Sequence, residues 1–121
     1  MKPRIVKGDT LHEFKTPECC FIAENWSSER VSIARARVKP GITTLAHHLK
    51  GVDEIYLITK GKAHIDVGDI TPTPLTAGDT VFIPAGTSQR ITNIGKTDLV
   101  FYCICAPRFT EDCYRFDGDK R

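Results

Sequence analysis

The feature that most constrains this chain is a series of short β-branched runs, each ended by Gly, Pro, Asp or Asn. In residues 62–69, KAHIDVGD, Ala63, Ile65 and Val67 share one face of an extended chain and His64 lies on the other. Similar runs occupy residues 30–38, 54–61, 80–86, 89–95 and 98–107. No segment has a sustained 3.6-residue periodicity. The pattern predicts an all-β sandwich or barrel.

The length of 121 residues is typical of one domain that buries a hydrophobic core without needing disulfide bonds or structural metal ions. We therefore expect a single domain over residues 1–121, with a barrel core at about 30–107 and an extension at each end. Residues 72–79, PTPLTAGD, have the composition of a turn. The polar tail after Pro107 contains aromatic residues and is expected to pack along the outside.

Charge and hydropathy are ordinary for a soluble globular protein. The formal net charge is +2 and the basic residues are dispersed, which argues against a nucleic-acid partner. No apolar run approaches the roughly 20 residues of a membrane span, so no membrane partner is expected. The first residues, MKPRIVKGDTLHEF, lack the apolar region of a signal peptide. The expected location is the cytoplasm.

Five cysteines do not form a CxxC zinc pattern. Cys19 and Cys20 are adjacent, Cys113 is isolated, and Cys103 and Cys105 share one face of a predicted strand with Phe101. In a reducing compartment these are expected to be free thiols that pack as small hydrophobic groups. An inward-facing Cys103 and Cys105 would approach a metal, but simple packing is favoured.

Two glycine-framed motifs follow one another with regular spacing. The first runs Gly41, five residues, His47-His48-Leu49, four residues, Glu54, six residues, Gly61. The second runs Gly78, five residues, Pro84-Ala85-Gly86, two residues, Gln89, three residues, Asn93. In spacing and order they resemble the two motifs of the cupin family, in particular its small single-domain members. The resemblance covers most of residues 30–107.

The resemblance implies a double-stranded β-helix, that is, a jelly-roll β-barrel with a ligand pocket in its mouth. It also implies a homodimer and a divalent metal such as Fe, Ni, Mn or Zn. The family's metal ligands correspond by position to His47, Leu49, Glu54 and Gln89. Because Leu49 has no donor atom and Gln89 offers only an amide oxygen, the implied metal set is His47, Glu54 and Gln89.

An alternative is that these three side chains form a hydrogen-bonded polar cluster without metal, because a buried carboxylate needs partners. His48 would replace the missing ligand only through a β-bulge, and is expected to face solvent. His64 is also expected to face outward, and His12 has no assigned role.

Alternation from Glu54 places Tyr56 on the pocket face, where its hydroxyl would be a candidate catalytic proton donor. A core tyrosine with a satisfied hydroxyl is the alternative. Arg35 and Arg37 share one face of their strand. If inward, they would bind a substrate carboxylate or phosphate; the opposite face, with its small residues, is the preferred inner one.

Three functions are consistent with these residues, because one fold hosts many chemistries. The first is a metal-dependent enzyme, isomerase-, lyase- or dioxygenase-like, acting on a small polar, oxygen-rich molecule. The second is a non-catalytic binding module for a carbohydrate or other small ligand. The third is a dimeric scaffold with no ligand.

Overall fold

In the computed structural model, residues 2–17 and 20–118 are described. Their strands are, in chain order, β1 (Phe14–Lys15), β2 (Phe21–Ser28), β3 (Val31–Val38), β4 (His47–Leu49), β5 (Asp53–Lys60), β6 (Lys62–Val67), β7 (Ile70–Thr76), β8 (Thr80–Ile83), β9 (Gln89–Asn93), β10 (Leu99–Ala106) and β11 (Tyr114–Phe116). Single 3-10 turns lie at Gly8–Thr10 and Glu111–Cys113. No helix among the described residues is long and apolar enough to cross a membrane.

The strands form two antiparallel sheets. One has the order β1-β2-β3-β10-β5-β8 and the other the order β11-β4-β9-β6-β7. Strands distant in sequence are neighbours in both sheets, as in a jelly roll. The expected all-β double-stranded β-helix is confirmed.

The core lies between the inner faces of the sheets. Alternation selects it: β6 buries Ala63, Ile65 and Val67, and leaves His64 half-buried on the outer face. The largest side chains with almost no exposure are Ile58, Ile83, Ile91, Leu99, Gln89, Val38 and Asn93. Two of these are amides, so polar groups are built into the interior and must be satisfied there.

Asn93, the last position of the second motif, has a structural role. Its Nδ2 donates to the carbonyl oxygens of Val38 (2.8 Å) and Thr97 (2.9 Å). Its Oδ1 accepts from the Gly95 amide at 2.9 Å. These three bonds join β3 to the turn that follows β9, which fixes one end of the barrel.

The sequence prediction of a turn over residues 72–79 was wrong for most of that segment. Residues Ile70–Thr76 form β7, which pairs with β6 although it contains Pro72 and Pro74. Proline removes a backbone donor, and it is tolerated here because β7 is the edge of its sheet. The sheets also extend before residue 30, since β1 and β2 lie there.

Arg35 and Arg37 lie on the outer face of β3, as preferred. The Arg37 guanidinium binds Glu13 (Nη2 to Oε1, 2.6 Å) and Asp98 (Nη1 to Oδ2, 3.0 Å), and lies 4.2 Å from the centroid of the Phe21 ring. The inner face carries Ser32, Ala34 and Ala36, which line a cavity. The arginines therefore hold the segment before β1 and do not face a ligand.

The segment after Pro107 packs against the barrel, in line with the sequence expectation. Its strand β11 pairs with β4 through Tyr114 and Leu49, Arg115 and His48, and Phe116 and His47. The segment also contributes side chains to the cavity described below. Of the predicted free thiols, Cys103, Cys105 and Cys113 are free, Cys20 is buried, and Cys19 lies outside the described residues.

Candidate functional site

A cavity of about 680 Å³ opens between the two sheets. Its inner wall consists of side chains from β3, β4, β5 and β10, and its mouth is bordered by residues 14–17 and 109–111. Taking about 30 Å³ per water, the volume corresponds to roughly twenty waters. Most lining side chains are apolar or aromatic, with a few polar groups, which is the usual composition of a small-molecule pocket.

Three buried side chains from two strands form a continuous hydrogen-bonded network, and two of them, Glu54 and Tyr56, line the cavity. Gln89 Nε2 donates to Glu54 Oε1 at 2.9 Å. The Tyr56 hydroxyl donates to Gln89 Oε1. Glu54 and Tyr56 are two residues apart on β5, so their side chains share its inner face. The amide of Gln89 thus bridges a carboxyl group and a phenol, using one donor and its acceptor.

The Glu54 carboxyl group lies in a poorly hydrated environment, with 6% relative exposure. Burial raises its pKa above the ordinary value, and the Gln89 hydrogen bond and the nearby His47 only partly oppose that effect. Cys105 Sγ lies 3.7 Å from Glu54 Oε2, because the two residues are cross-strand partners on β10 and β5. Burial likewise raises the pKa of the Cys105 and Cys103 thiols.

His47 lies near the Glu54 carboxyl group, in the same sheet as Gln89. It is the cross-strand partner of Gln89 on β4 and β9, and it lines the cavity. The His47 Nδ1–H donates to the Leu45 carbonyl oxygen at 2.8 Å. A neutral imidazole with its proton on Nδ1 has its lone pair on Nε2. The nitrogen that remains available to a ligand is therefore an acceptor.

The predicted site residues His47, Glu54, Gln89 and Tyr56 thus occupy one region of the barrel interior. Other predicted candidates lie elsewhere. His48 is on the outer face of β4 and pairs with Asp117 (Nδ1 to Oδ1, 2.7 Å).

Cys103, Cys105 and Phe101 line the cavity, so the face of β10 that they share is the inner one. Sequence analysis did not identify Tyr114, whose ring stacks on His47 with 4.8 Å between centroids and 21° between planes. No pattern could have found it, because it follows both motifs.

The donor set does not fit a metal ion held by protein groups alone. In the described ranges no three His, Cys, Asp or Glu side chains are grouped as a metal ion requires. Leu49 lines the cavity without a donor atom, and the Gln89 carbonyl oxygen already accepts from Tyr56. His47 and Glu54 remain as the two strong donors, and a hydrogen-bonded cluster satisfies the same residues without a cation.

The charges around the cavity also limit its ligand. Glu54 is the only buried carboxyl group among the described lining residues, and no arginine lines the wall. Lys15 is the one described lysine in the lining, and it is exposed at the mouth. An anionic ligand beside Glu54 would therefore meet a carboxyl group with only the His47 imidazole, when protonated, as a nearby cation in the described lining.

The sequence was compared with protein families and with known proteins. The family described as "Cupin domain" matches residues 34–105. An uncharacterised protein of Methanocaldococcus jannaschii is 30% identical over 113 residues, covering 93% of this chain and 85% of the relative. An oxalate-binding protein of Thermotoga maritima is 37% identical over 73 residues, covering 59% of this chain and 58% of the relative.

Among solved structures, the Streptomyces nucleoside dehydratase Pac13 superposes with a TM-score of 0.82 at 13% identity, covering 99% of this chain and 95% of its own. At that identity the likeness concerns the fold. The matched residues 34–105 include both glycine-framed motifs, the strands that carry them and the four predicted site residues. The chain therefore belongs to the cupin family.

Proposed function

We propose that this cupin binds a small, uncharged, oxygen-rich molecule in its barrel cavity and acts on it by proton transfer. The observation that carries the proposal is that Glu54 and His47, from the two sheets, line the same largely apolar cavity, and that Glu54 is hydrogen-bonded to Gln89, the cross-strand partner of His47. Enzymes that move protons within a substrate use two titratable groups in different environments. Structures with this fold include an enzyme, the nucleoside dehydratase, which is compatible with this assignment.

Each group has a separate role in the proposal. His47 Nε2 has the lone pair that takes a proton from the ligand, because Nδ1 is engaged by Leu45. The Glu54 carboxyl group gives a proton to a second atom of the ligand and regains it from His47 or water. A net movement of one proton of this kind supports isomerisation, or elimination of water from an alcohol.

Gln89 and Tyr56 support this pair. The Tyr56 hydroxyl is buried and its single proton is directed at Gln89, so we propose that it orients the amide and does not itself donate to the ligand. Burial raises the pKa of Tyr56 well above its ordinary value, which makes the phenol a weaker acid.

The cavity volume argues for a ligand larger than a two-carbon acid. Space for roughly twenty waters suits a molecule of about ten to twenty non-hydrogen atoms. Its polar end would lie against Glu54 and His47, and its body against Ala34, Ala36 and Phe101. Small residues on β3 leave that room, since alanine side chains do not fill the inner face.

A second candidate, a metal-bound enzyme with His47, Glu54 and Gln89 as ligands, is favoured by the relative that is named as an oxalate-binding protein. An oxalate-like dianion beside Glu54 would need a cation between the two. Fe, Ni, Mn or Zn would serve as a Lewis acid there. The charge of the ligand therefore distinguishes the two candidates.

The test combines metal analysis with a ligand screen. Untagged protein is analysed for metal by mass spectrometry, and thermal shifts are recorded for neutral polyols, sugars and nucleosides and for small dicarboxylates, with chelator or with added metals. The proposal expects no bound metal. It also expects neutral compounds to raise the melting temperature in the presence of chelator. These shifts should be lost in His47→Gln and kept in the outer-face control His64→Gln. Near-stoichiometric metal that disappears in His47→Gln, with shifts only for dicarboxylates, would replace the proposal by the metal-bound candidate.

A further inference from the structure

The ring of His47 is covered by an aromatic side chain that lies outside the residues matched to the family. Tyr114 belongs to β11 and is paired with Leu49 of β4, so it lies diagonally across from His47 on the same face. Both side chains line the cavity. Their rings are 4.8 Å apart and nearly parallel, which is the geometry of an offset or stacked aromatic pair.

Backbone and side-chain contacts hold the segment that carries Tyr114. The Lys50 amide donates to the Cys113 carbonyl at 2.8 Å, just before β11. Just after β11, the Asp117 amide donates to the Ala46 carbonyl at 2.9 Å. The Asp117 carboxylate also binds His48 Nδ1 at 2.7 Å on the outer face. These contacts lie on both sides of β11 and fix its position against β4, and with it the position of the Tyr114 ring beside His47.

From this geometry we infer that Tyr114 is a positioning residue for His47. Two contacts restrain the imidazole: the Leu45 carbonyl accepts its Nδ1–H at 2.8 Å, and the Tyr114 ring covers one face. The Leu45 contact selects the tautomer with the proton on Nδ1, and the Tyr114 ring holds the imidazole in the orientation that keeps this contact, which leaves the Nε2 lone pair for the cavity. Without the ring, the imidazole can rotate about χ2, because that torsion is broad.

The inference deepens the proposed function and rests on it, because a selected tautomer matters only where Nε2 accepts a proton or binds a ligand. It also gives the C-terminal segment a role in the site. Residues 107–118 then help to position a catalytic side chain and are not only a cover for the barrel.

The experiment is nuclear magnetic resonance of the histidine ring nitrogens in the full chain, with His47 assigned by His47→Gln. In the wild-type protein we expect a single dominant Nδ1–H tautomer and upfield-shifted His47 ring protons, caused by the current of the stacked ring. Tyr114→Phe keeps the aromatic ring and should keep both signatures. Tyr114→Leu removes the ring and should give a mixture of tautomers and normal proton shifts.

Tyr102→Leu is the matched control, because Tyr102 is a half-buried tyrosine in β10 whose paired residues Arg35 and Leu57 lie on the outer face. It should leave the His47 signals unchanged. The inference is overturned if the wild-type ring is an Nε2–H tautomer, or if Tyr114→Leu keeps the wild-type tautomer. Should Tyr114→Leu fail to fold, Tyr114→Met, which also lacks the ring, takes its place with the same expected and contradicting outcomes.

The failure of the proposed function would look different. If no neutral compound shifts the melting temperature while the Nδ1–H tautomer and its loss in Tyr114→Leu are seen, the positioning is correct and the assignment of proton transfer is wrong. If ligands bind through His47 and Tyr114→Leu binds them within twofold of wild type, Tyr114 does not position the imidazole for that ligand.

Discussion

Glu54→Gln should remove a pH dependence of stability that the wild-type fold contains. Burial raises the pKa of Glu54 in the folded state above the value of about 4.5 that the exposed group has. Above pH 4.5 the folded protein then binds more protons at this position than the unfolded chain does. The stabilisation is complete below the unfolded pKa and is lost as the pH rises through the folded pKa.

The size of the effect follows from the pKa difference. Each unit of difference between the folded and unfolded pKa is worth about 1.4 kcal/mol of unfolding free energy. For a domain of 121 residues, an unfolding entropy of about 2.1 cal/mol/K per residue converts that to roughly 5 °C in the melting temperature. The glutamine that replaces Glu54 in this variant has the same shape but does not titrate, and its carbonyl oxygen can accept the Gln89 hydrogen bond.

The assay is thermal unfolding of the two proteins by circular dichroism from pH 4.5 to pH 8, at constant ionic strength. The wild-type melting temperature should fall relative to that of Glu54→Gln as the pH rises, by about 5 °C per unit of pKa elevation. Glu24→Gln is the control, because Glu24 borders the same cavity but is exposed. Parallel melting curves for wild type and Glu54→Gln over the whole range would refute the argument that burial controls this carboxyl group.

Three further predictions concern the barrel and its thiols. Asn93→Ala removes one buried and two partly buried hydrogen bonds of a buried side chain and should lower the unfolding free energy by about 2–4 kcal/mol in urea titrations. A loss below about 1 kcal/mol would mean that water replaces the amide. Gly61→Ala should destabilise by at least about 1 kcal/mol, since Gly61 has φ of +91° and an added Cβ would lie 2.9 Å from the Asp98 carbonyl oxygen; an unchanged urea midpoint would contradict this. Burial raises the pKa of the Cys103 and Cys105 thiols. We therefore expect them to react with iodoacetamide at pH 8 far more slowly in the native than in the unfolded protein, as followed by peptide mass spectrometry. Equal rates would show that the cavity is open to the reagent and that the thiols are activated.

Local pattern was sufficient to predict most strands. Alternation in residues 62–67 requires one buried face whatever the partner strand is, because side chains project to opposite sides every second residue. The two glycine-framed motifs then aligned His47, Glu54 and Gln89 with one pocket, and the resemblance predicted the jelly roll. The edge strand β7 was missed because its two prolines signal a turn locally, and only the sheet order shows that β7 is an edge strand, where proline is tolerated.

The sequence by itself determined the all-β class, the alternation of side chains along the strands and the set of polar residues that share the barrel interior. Only the tertiary structure decided how those residues are paired: that Gln89 is shared between Glu54 and Tyr56, that Arg35 and Arg37 face outward, and that Tyr114 covers His47. The physical reason is that strand alternation is a local property of the backbone. Hydrogen bonds and ring contacts between β4, β5, β9 and β11 depend on the register of strands that are far apart in the chain.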